Sequence, residues 1–152
     1  MALSVAFWTC RKTWRRAGAN TARCLVGCSL GDLSALTALT HYVPDLPMAT
    51  TMGLAMSAGI ATSLALETVV LKVKEGFDSW VVAGRTAAGM SMISMLAMET
   101  AENSVDLFLT GGVPSFSSPE GLMAAGAAMF AGFITPLPYN YHRLKAHGKS
   151  CH

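Results

Sequence analysis

The sequence predicts an all-α integral membrane protein: four transmembrane helices in an antiparallel bundle, with both termini cytoplasmic. Three observations carry that prediction. Apolar residues make up 52% of the 152 positions and charged residues only 13%, about half the charged share of a typical soluble domain, and mean hydropathy is +0.43. Such a chain cannot cover a soluble globule of this size with polar surface. That argues against an ordinary cytosolic enzyme, a disordered chain, and a nucleic-acid binder with a broad basic face. Second, the charge-poor stretches 22–43, 48–71, 81–109 and 120–141 are each long enough to cross a hydrocarbon core of about 30 Å at about 1.5 Å per residue. Third, all eleven Lys and Arg residues fall at one side of such a bundle, the side the positive-inside rule assigns to the cytoplasm.

Residues 1–21 form a basic cytoplasmic or interfacial segment. Its apolar start precedes the cluster Arg11, Lys12, Arg15, Arg16 and Arg23, which is the wrong order for a secretory signal. Trp8 and Trp14 suggest a short amphipathic stretch on the inner interface, with a solvated segment as the alternative. The first helix carries Cys24, Cys28 and Asp32 on one face of its inner half and His41 at its outer end. Pro44 and Pro47 close it and open the second.

The second helix places Met48, Met52 and Met56 on one face of its outer half and Glu67 in its inner half. Ala49, Gly53, Ser57, Ala61 and Ala65 recur every four residues and read as a contact seam, because close backbone approach drives helix association in lipid. Lys72, Lys74 and Arg85 flank the next connection. Gly111, Gly112, Pro114 and Pro119 separate the third helix from the fourth, whose Ala124, Ala128 and Gly132 suggest another seam. Pro136 and Pro138 should distort or end that helix near the inner interface. Tyr139 and Tyr141 are expected in an aromatic belt. Residues 142–152 form a basic tail that ends in His and Cys.

The third helix is the most informative. Met92, Met95, Glu99, Glu102 and Asp106 follow a 3-4-3-4 spacing and occupy an arc of about 80°. Packing alone would account for the methionines but not for three acids on the same seam. A charge at the bilayer centre costs at least about 2.5–3.5 kcal/mol. Every Lys and Arg sits at the cytoplasmic side, so most of these acids have no basic partner within the membrane and need protons, hydroxyl donors or a metal cation. Thiolate, thioether and imidazole suit Cu(I), and carboxylates suit a harder ion or carry protons. The candidate metal residues are Cys24, Cys28, Asp32, His41, Met48, Met52, Met56, Met92, Met95, Glu99, Glu102 and Asp106, with Cys151 and His152 as a possible tail site. The alternative for each cysteine or methionine is a packing role, and His41 and the tail could simply be solvated.

Two resemblances follow from these residues. Met48, Met52 and Met56, with the terminal Cys151 and His152, resemble the high-affinity eukaryotic copper transporters. Those have three spans and an extracellular Met-rich segment; this chain has four spans and no such segment, so only the ligand chemistry carries over. The runs Cys24-Leu-Val-Gly27-Cys28-Ser-Leu-Gly31-Asp32 and Gly132-Phe-Ile-Thr-Pro136-Leu-Pro138-Tyr-Asn140 resemble an uncharacterised bacterial membrane family, domain of unknown function 4396. Its members carry a Cys-x-x-Gly-Cys-x-x-Gly-acid run in one helix and a Gly-Phe-x-x-x-x-Pro-x-Asn run in the last. That resemblance implies a multi-span membrane fold and leaves the activity open.

The expected function is metal handling in the inner (plasma) membrane, most simply copper transport or binding by a homo-oligomer. The alternative is a non-catalytic accessory subunit of a larger membrane complex. A bis-His haem carrier would need two core histidines, and only His41 lies near a span. No Gly-x-Ser-x-Gly elbow, phosphate loop or His-Glu-x-x-His run suggests an enzyme. Lipid is the expected partner, and nucleic acid is not.

Overall fold

The computed structural model describes residues 5–111 and 118–146. These form α1 (Val5–Trp8), α2 (Arg11–Tyr42), α3 (Met48–Lys74), α4 (Trp80–Thr110), α5 (Pro119–Ile134) and α6 (Leu137–Ala146), and no strand occurs among them. Four segments are long and apolar enough to cross a membrane: α2, α3, α4 and the continuous run Pro119–Ala146 that contains α5 and α6. The fold is all-α.

The helix ends follow local chemistry. Pro47 precedes the first turn of α3 and its carbonyl accepts from the Thr50 and Thr51 N–H groups at 2.9 and 3.0 Å. Ser79 and Ser118 cap α4 and α5 through their hydroxyls, with Pro119 in the first turn of α5. Gly111 ends α4 at φ 69°, the left-handed conformation that glycine adopts without penalty. Lys72 Nζ donates to the Phe77 carbonyl at 2.6 Å and holds the turn between α3 and α4. Pro136 interrupts the last span as expected, and the chain turns back into α6 through Asn140 N–H donating to the Pro136 carbonyl at 2.9 Å.

The first helix differs from its sequence-based bounds. It starts at Arg11 rather than near position 22 and runs 32 residues without a break. Hydropathy marks only the apolar part of a helix, and Arg, Lys and Ala propagate one equally well. The basic segment is therefore a helical extension, about 48 Å of helix in all at 1.5 Å per residue.

Helices α2, α3, α4 and α5 pack in cyclic order, and α5 and α6 close back on α2. The pairing is antiparallel. Gly27 and Gly31 of α2 meet Ser63 and Gly59 of α3, and Gly59 in turn meets Glu99 of α4. One end of the bundle therefore carries α1, the α3–α4 turn and α6, and is called the terminal end below. The loop end carries the α2–α3 and α4–α5 connections.

Aromatic residues tie the terminal end together. Tyr141 is fully buried, not part of a lipid-facing belt, and stacks against Trp8 at 5.0 Å and Trp14 at 4.3 Å. Its hydroxyl donates to the Phe7 carbonyl at 2.6 Å and accepts from Cys10 N–H at 3.2 Å. Trp8 and Trp14 thus serve a contact between the two ends of the chain. Tyr139 lies at the surface side of α6, under the Arg143 guanidinium at 5.8 Å.

The small-residue seam of α3 is also not the one the spacing suggested. Ala49, Gly53, Ser57, Ala61 and Ala65 are all exposed, while Thr51, Ala55, Gly59 and Ser63 are buried. The expected seams of α5 at Ala124, Ala128 and Gly132 are buried as anticipated.

Candidate functional site

The acid stripe of α4 faces the bundle interior. Glu99 is 0% exposed and Glu102 only 7%, Met95 is buried, and Met92 and Asp106 are half-buried. The inward face is wider than the stripe read from sequence. It includes Ser94, Met98 and Asn103, because α4 contacts α3 on one side and α5 on the other.

Each buried acid occupies a niche opposite a glycine. A Cβ on Gly59 would overlap the Glu99 carboxylate and stand 2.9 Å from the Cys28 carbonyl oxygen. A Cβ on Gly132 would overlap the Glu102 side chain, 2.8 Å from its Cδ. Asn103 Nδ2 donates to Glu99 Oε2 at 3.3 Å and to the Glu99 carbonyl at 3.0 Å. Ser29 Oγ of α2 donates to Glu102 Oε1 at 3.2 Å. The second oxygen of each acid, Glu99 Oε1 and Glu102 Oε2, is buried without a hydrogen-bond partner, as is Asp32 Oδ1.

Toward the terminal end the chemistry changes from oxygen to sulfur. Cys24, Cys28, Met95 and Met98 pack in one buried cluster, with Leu25, Ile60 and Leu64 around it. Both thiols are free. Ser63 Oγ approaches Cys24 Sγ at 3.2 Å and the Cys24 carbonyl at 3.1 Å. The i, i+4 spacing and two flanking glycines bring this about: Gly27 and Gly31 let α2 lie so close to α3 that the cysteine face turns onto α4. Added Cβ atoms there would stand 2.8 Å from Ser63 Cα and 2.8 Å from Gly59 Cα.

Cavities flank the cluster. On the terminal side, a space of about 210 Å3 is lined by Cys24, Glu67, Ser91, Ser94, Asn140 and Arg143, among others. On the loop side, a space of about 50 Å3 is lined by Ser29, Asp32, Glu102, Asn103, Asp106 and Thr110 together with apolar residues of α2 and α5. Arg143 crosses the terminal side and donates to the Met90 carbonyl of α4. Asn140 Nδ2 donates to Thr21 Oγ1 at 2.8 Å and fixes α6 on α2.

Other candidate residues do not join this core. His41 is exposed and sits edge-on to Tyr42 at 4.9 Å. Met48 is 39% exposed, and Met52 and Met56 are half-buried; none of them lines either cavity flanking the cluster. Cys151 and His152 lie outside the described residues. Among the described residues no three His, Cys, Asp or Glu side chains are grouped as a metal ion would need. Sequence reasoning missed Met98, Ser29, Ser63, Asn103 and Gly59, and read Gly132 only as part of a packing seam. For Met98, Ser29 and Asn103 the signal is positional: each lies next to a cysteine or an acid already marked.

Both runs singled out in the sequence thus lie in this core. The model of the family described as Domain of unknown function (DUF4396) matches residues 13–149, and the chain belongs to that family. No curated protein and no solved structure matches it.

Proposed function

We propose that this chain is a metal-handling protein of the inner (plasma) membrane that binds or moves Cu(I), with its termini on the cytoplasmic side. The observation that carries the reading is the buried convergence of two thiols, Cys24 and Cys28, with two thioethers, Met95 and Met98. Sulfur donors of this kind select Cu(I) over harder ions. The absence of a His, Cys, Asp and Glu trio among the described residues argues against zinc, which prefers four such ligands. Cys24 also lines the larger cavity, which offers the sulfur site a route to the terminal end. A bound cation would favour thiolate over thiol and offset the cost of burying that charge. The candidate passage lies within one bundle; a passage between subunits is not needed for this reading.

Element analysis and Cu(I) competition on protein purified under reducing conditions test it. The wild type should bind about one Cu(I) per chain, and the double change Cys24→Ser, Cys28→Ser should abolish binding while the helical fold survives. Full binding by that variant would make the cysteines packing residues and end the proposal. Orientation is tested separately. A cysteine introduced at Asp45 should react with an impermeant reagent from outside, and one at Lys74 should not.

One observation favours a second reading, a non-catalytic accessory subunit of a larger membrane complex. The exposed stripe Ala49, Gly53, Ser57, Ala61 and Ala65 on α3 has the small-residue spacing that lets another helix approach closely in lipid.

A further inference from the structure

The terminal-side cavity carries groups that the sulfur cluster does not use. Its space of about 210 Å3 is walled by Asn20 of α2, Glu67 of α3, Ser91 and Ser94 of α4, and Asn140 and Arg143 of α6, among others. Ser94 is the decisive observation. It is 2% exposed, it lines this space, and its hydroxyl makes no hydrogen bond with any described residue. Ser91, three residues earlier on the same wall, makes none either. The hydroxyls of Ser57, Thr62, Thr68, Thr100 and Ser104 all turn back to the carbonyl four residues before them, as a helical hydroxyl can when nothing else is offered. Ser91 and Ser94 instead give their hydroxyls to the cavity.

The charges follow the same plan. Glu67 and Arg143 border one space from different helices, yet among the described residues Glu67 pairs with no cation. Opposite charges in such a space attract strongly, and a carboxylate at membrane depth ordinarily finds a partner. The walls are pinned apart by other bonds. Arg143 Nη1 donates to the Met90 carbonyl and its guanidinium covers the Tyr139 ring. Arg23 donates to Asn20, and Asn140 donates to Thr21.

Chemistry and size select the occupant. A lone anion at Arg143 would face Glu67, and a lone cation at Glu67 would face Arg143. A molecule that bears both charges suits both walls. A metal ion finds only Cys24 and Glu67 among the lining residues, and no third His, Cys, Asp or Glu is grouped with them. An apolar cavity of about 150 Å3 holds benzene, so this space takes a molecule of roughly eight non-hydrogen atoms.

We infer that the terminal-side cavity is a binding site for a small zwitterion, with its ammonium group at Glu67, its anionic oxygens at Arg143 and its remaining polar atoms at Ser91 and Ser94. Two sources carry that chemistry: a free α-amino acid with a short side chain, and the headgroup of an ethanolamine phospholipid reaching in from the bilayer. The inference does not rest on the Cu(I) reading, because none of these groups is a sulfur donor. Cys24 borders the same space, so an occupant stands between the sulfur cluster and the terminal end.

Two measurements on the full chain, metal-free and reduced, test the inference. The first is calorimetric titration in phosphatidylcholine nanodiscs with glycine, L-alanine, L-serine and L-threonine. Ethanolamine and glycerate, which carry one charge each, should bind about tenfold more weakly or worse than the best of these. The second is native mass spectrometry after reconstitution in mixed phosphatidylcholine and phosphatidylethanolamine, where the ethanolamine lipid should be retained selectively if it is the occupant. Amino-acid binding assigns the site to a free solute; selective lipid retention without it assigns the site to the headgroup. Glu67→Gln keeps the size of a side chain that pairs with no described cation, so the fold should survive, and whichever occupant binds should weaken about tenfold or more. Glu120→Gln, exposed on α5 at the loop end, should change nothing. An absence of binding in both measurements would overturn the inference, and so would binding that Glu67→Gln leaves intact. Neither outcome depends on whether the protein binds Cu(I).

Discussion

The α2–α3 contact and the α4–α5 contact both depend on glycine, and they use it for different ends. Gly27 and Gly31 admit backbone: the atoms an added Cβ would meet include Ser63 Cα, the Ala58 carbonyl and Gly59 Cα. Gly132 admits a side chain, the Glu102 carboxyl group. Gly59 does both, with Glu99 on one side and the Cys28 carbonyl on the other. In lipid, helices associate through close packing and not through a hydrophobic difference, so the first use fixes the fold. The second reserves room in a close-packed interior for a polar group that packing alone would not place there. Substituting the two kinds of glycine should separate the two uses.

Gly31→Ala should have the largest effect on the fold. Its Cβ would stand 2.5 Å from Thr62 Oγ1 and 2.6 Å from the Ala58 carbonyl. The backbone cannot yield without moving α2 off α3, so a loss of about 3 kcal/mol is expected. Denaturant titration of the purified protein in mild detergent measures it. A variant as stable as the wild type would show that the α2–α3 approach is looser than this contact implies.

Gly132→Ala should cost less, about 1–2 kcal/mol, because the group in the way is the flexible end of Glu102. The side chain can swing aside, and the hydrogen bond from Ser29 at 3.2 Å is then lost. The expected signature is a folded protein with a modest loss of stability in the same titration. Equal damage to the fold from Gly31→Ala and Gly132→Ala would mean that both glycines serve backbone approach and would remove the contrast. Asn140→Ala ranks third. It deletes the 2.8 Å bond to Thr21 that ties α6 to α2, and hydrogen bonds between membrane helices average about 0.6 kcal/mol. A shift of that size in the same titration is expected.

The same contrast explains what could be read from the sequence. Hydropathy and the clustering of basic residues revealed four spans, since crossing a membrane is a property of each segment alone. The inward face of α4 was legible because a carboxylate is expensive in lipid, so Glu99, Glu102 and Asp106 mark the protein side without any knowledge of neighbours. On α3 no such marker exists over most of its length. Thr51, Ala55, Gly59 and Ser63 form one four-residue stripe, and Ala49, Gly53, Ser57, Ala61 and Ala65 form another. Both are small and nearly neutral, and lipid accepts either. Only the partner surface, the glycines of α2 and the carboxyl group of Glu99, decides between them. Tyr141 was misplaced for a related reason: an aromatic ring at a span end suits a belt, but α1 and the start of α2 supplied Trp8 and Trp14 to cover it. The Met48, Met52 and Met56 face had the right spacing for ligands and no marker of which way it turned.

The smallest expected effect on the single chain comes from Gly53→Leu, and it is the most useful for the stripe left exposed on α3. Nothing lies within 4 Å of a Cβ at Gly53, so a larger side chain meets no part of its own bundle. Surface substitutions away from packed features change stability by about 0.5 kcal/mol or less, and replacing glycine within a helix gains a few tenths in return. The folded monomer should therefore melt as the wild type does. Two bilayer helices meeting along this stripe would feel the change at once, because small residues at such an interface permit backbones to touch and leucine holds them apart. Chemical cross-linking in native membranes, followed by size analysis in detergent, reads the outcome. Loss of a cross-linked species with unchanged melting would assign the stripe to a helix partner and favour the accessory or oligomeric reading. An unchanged pattern would assign it to lipid, leaving the sulfur cluster and the two cavities as a complete unit within one chain.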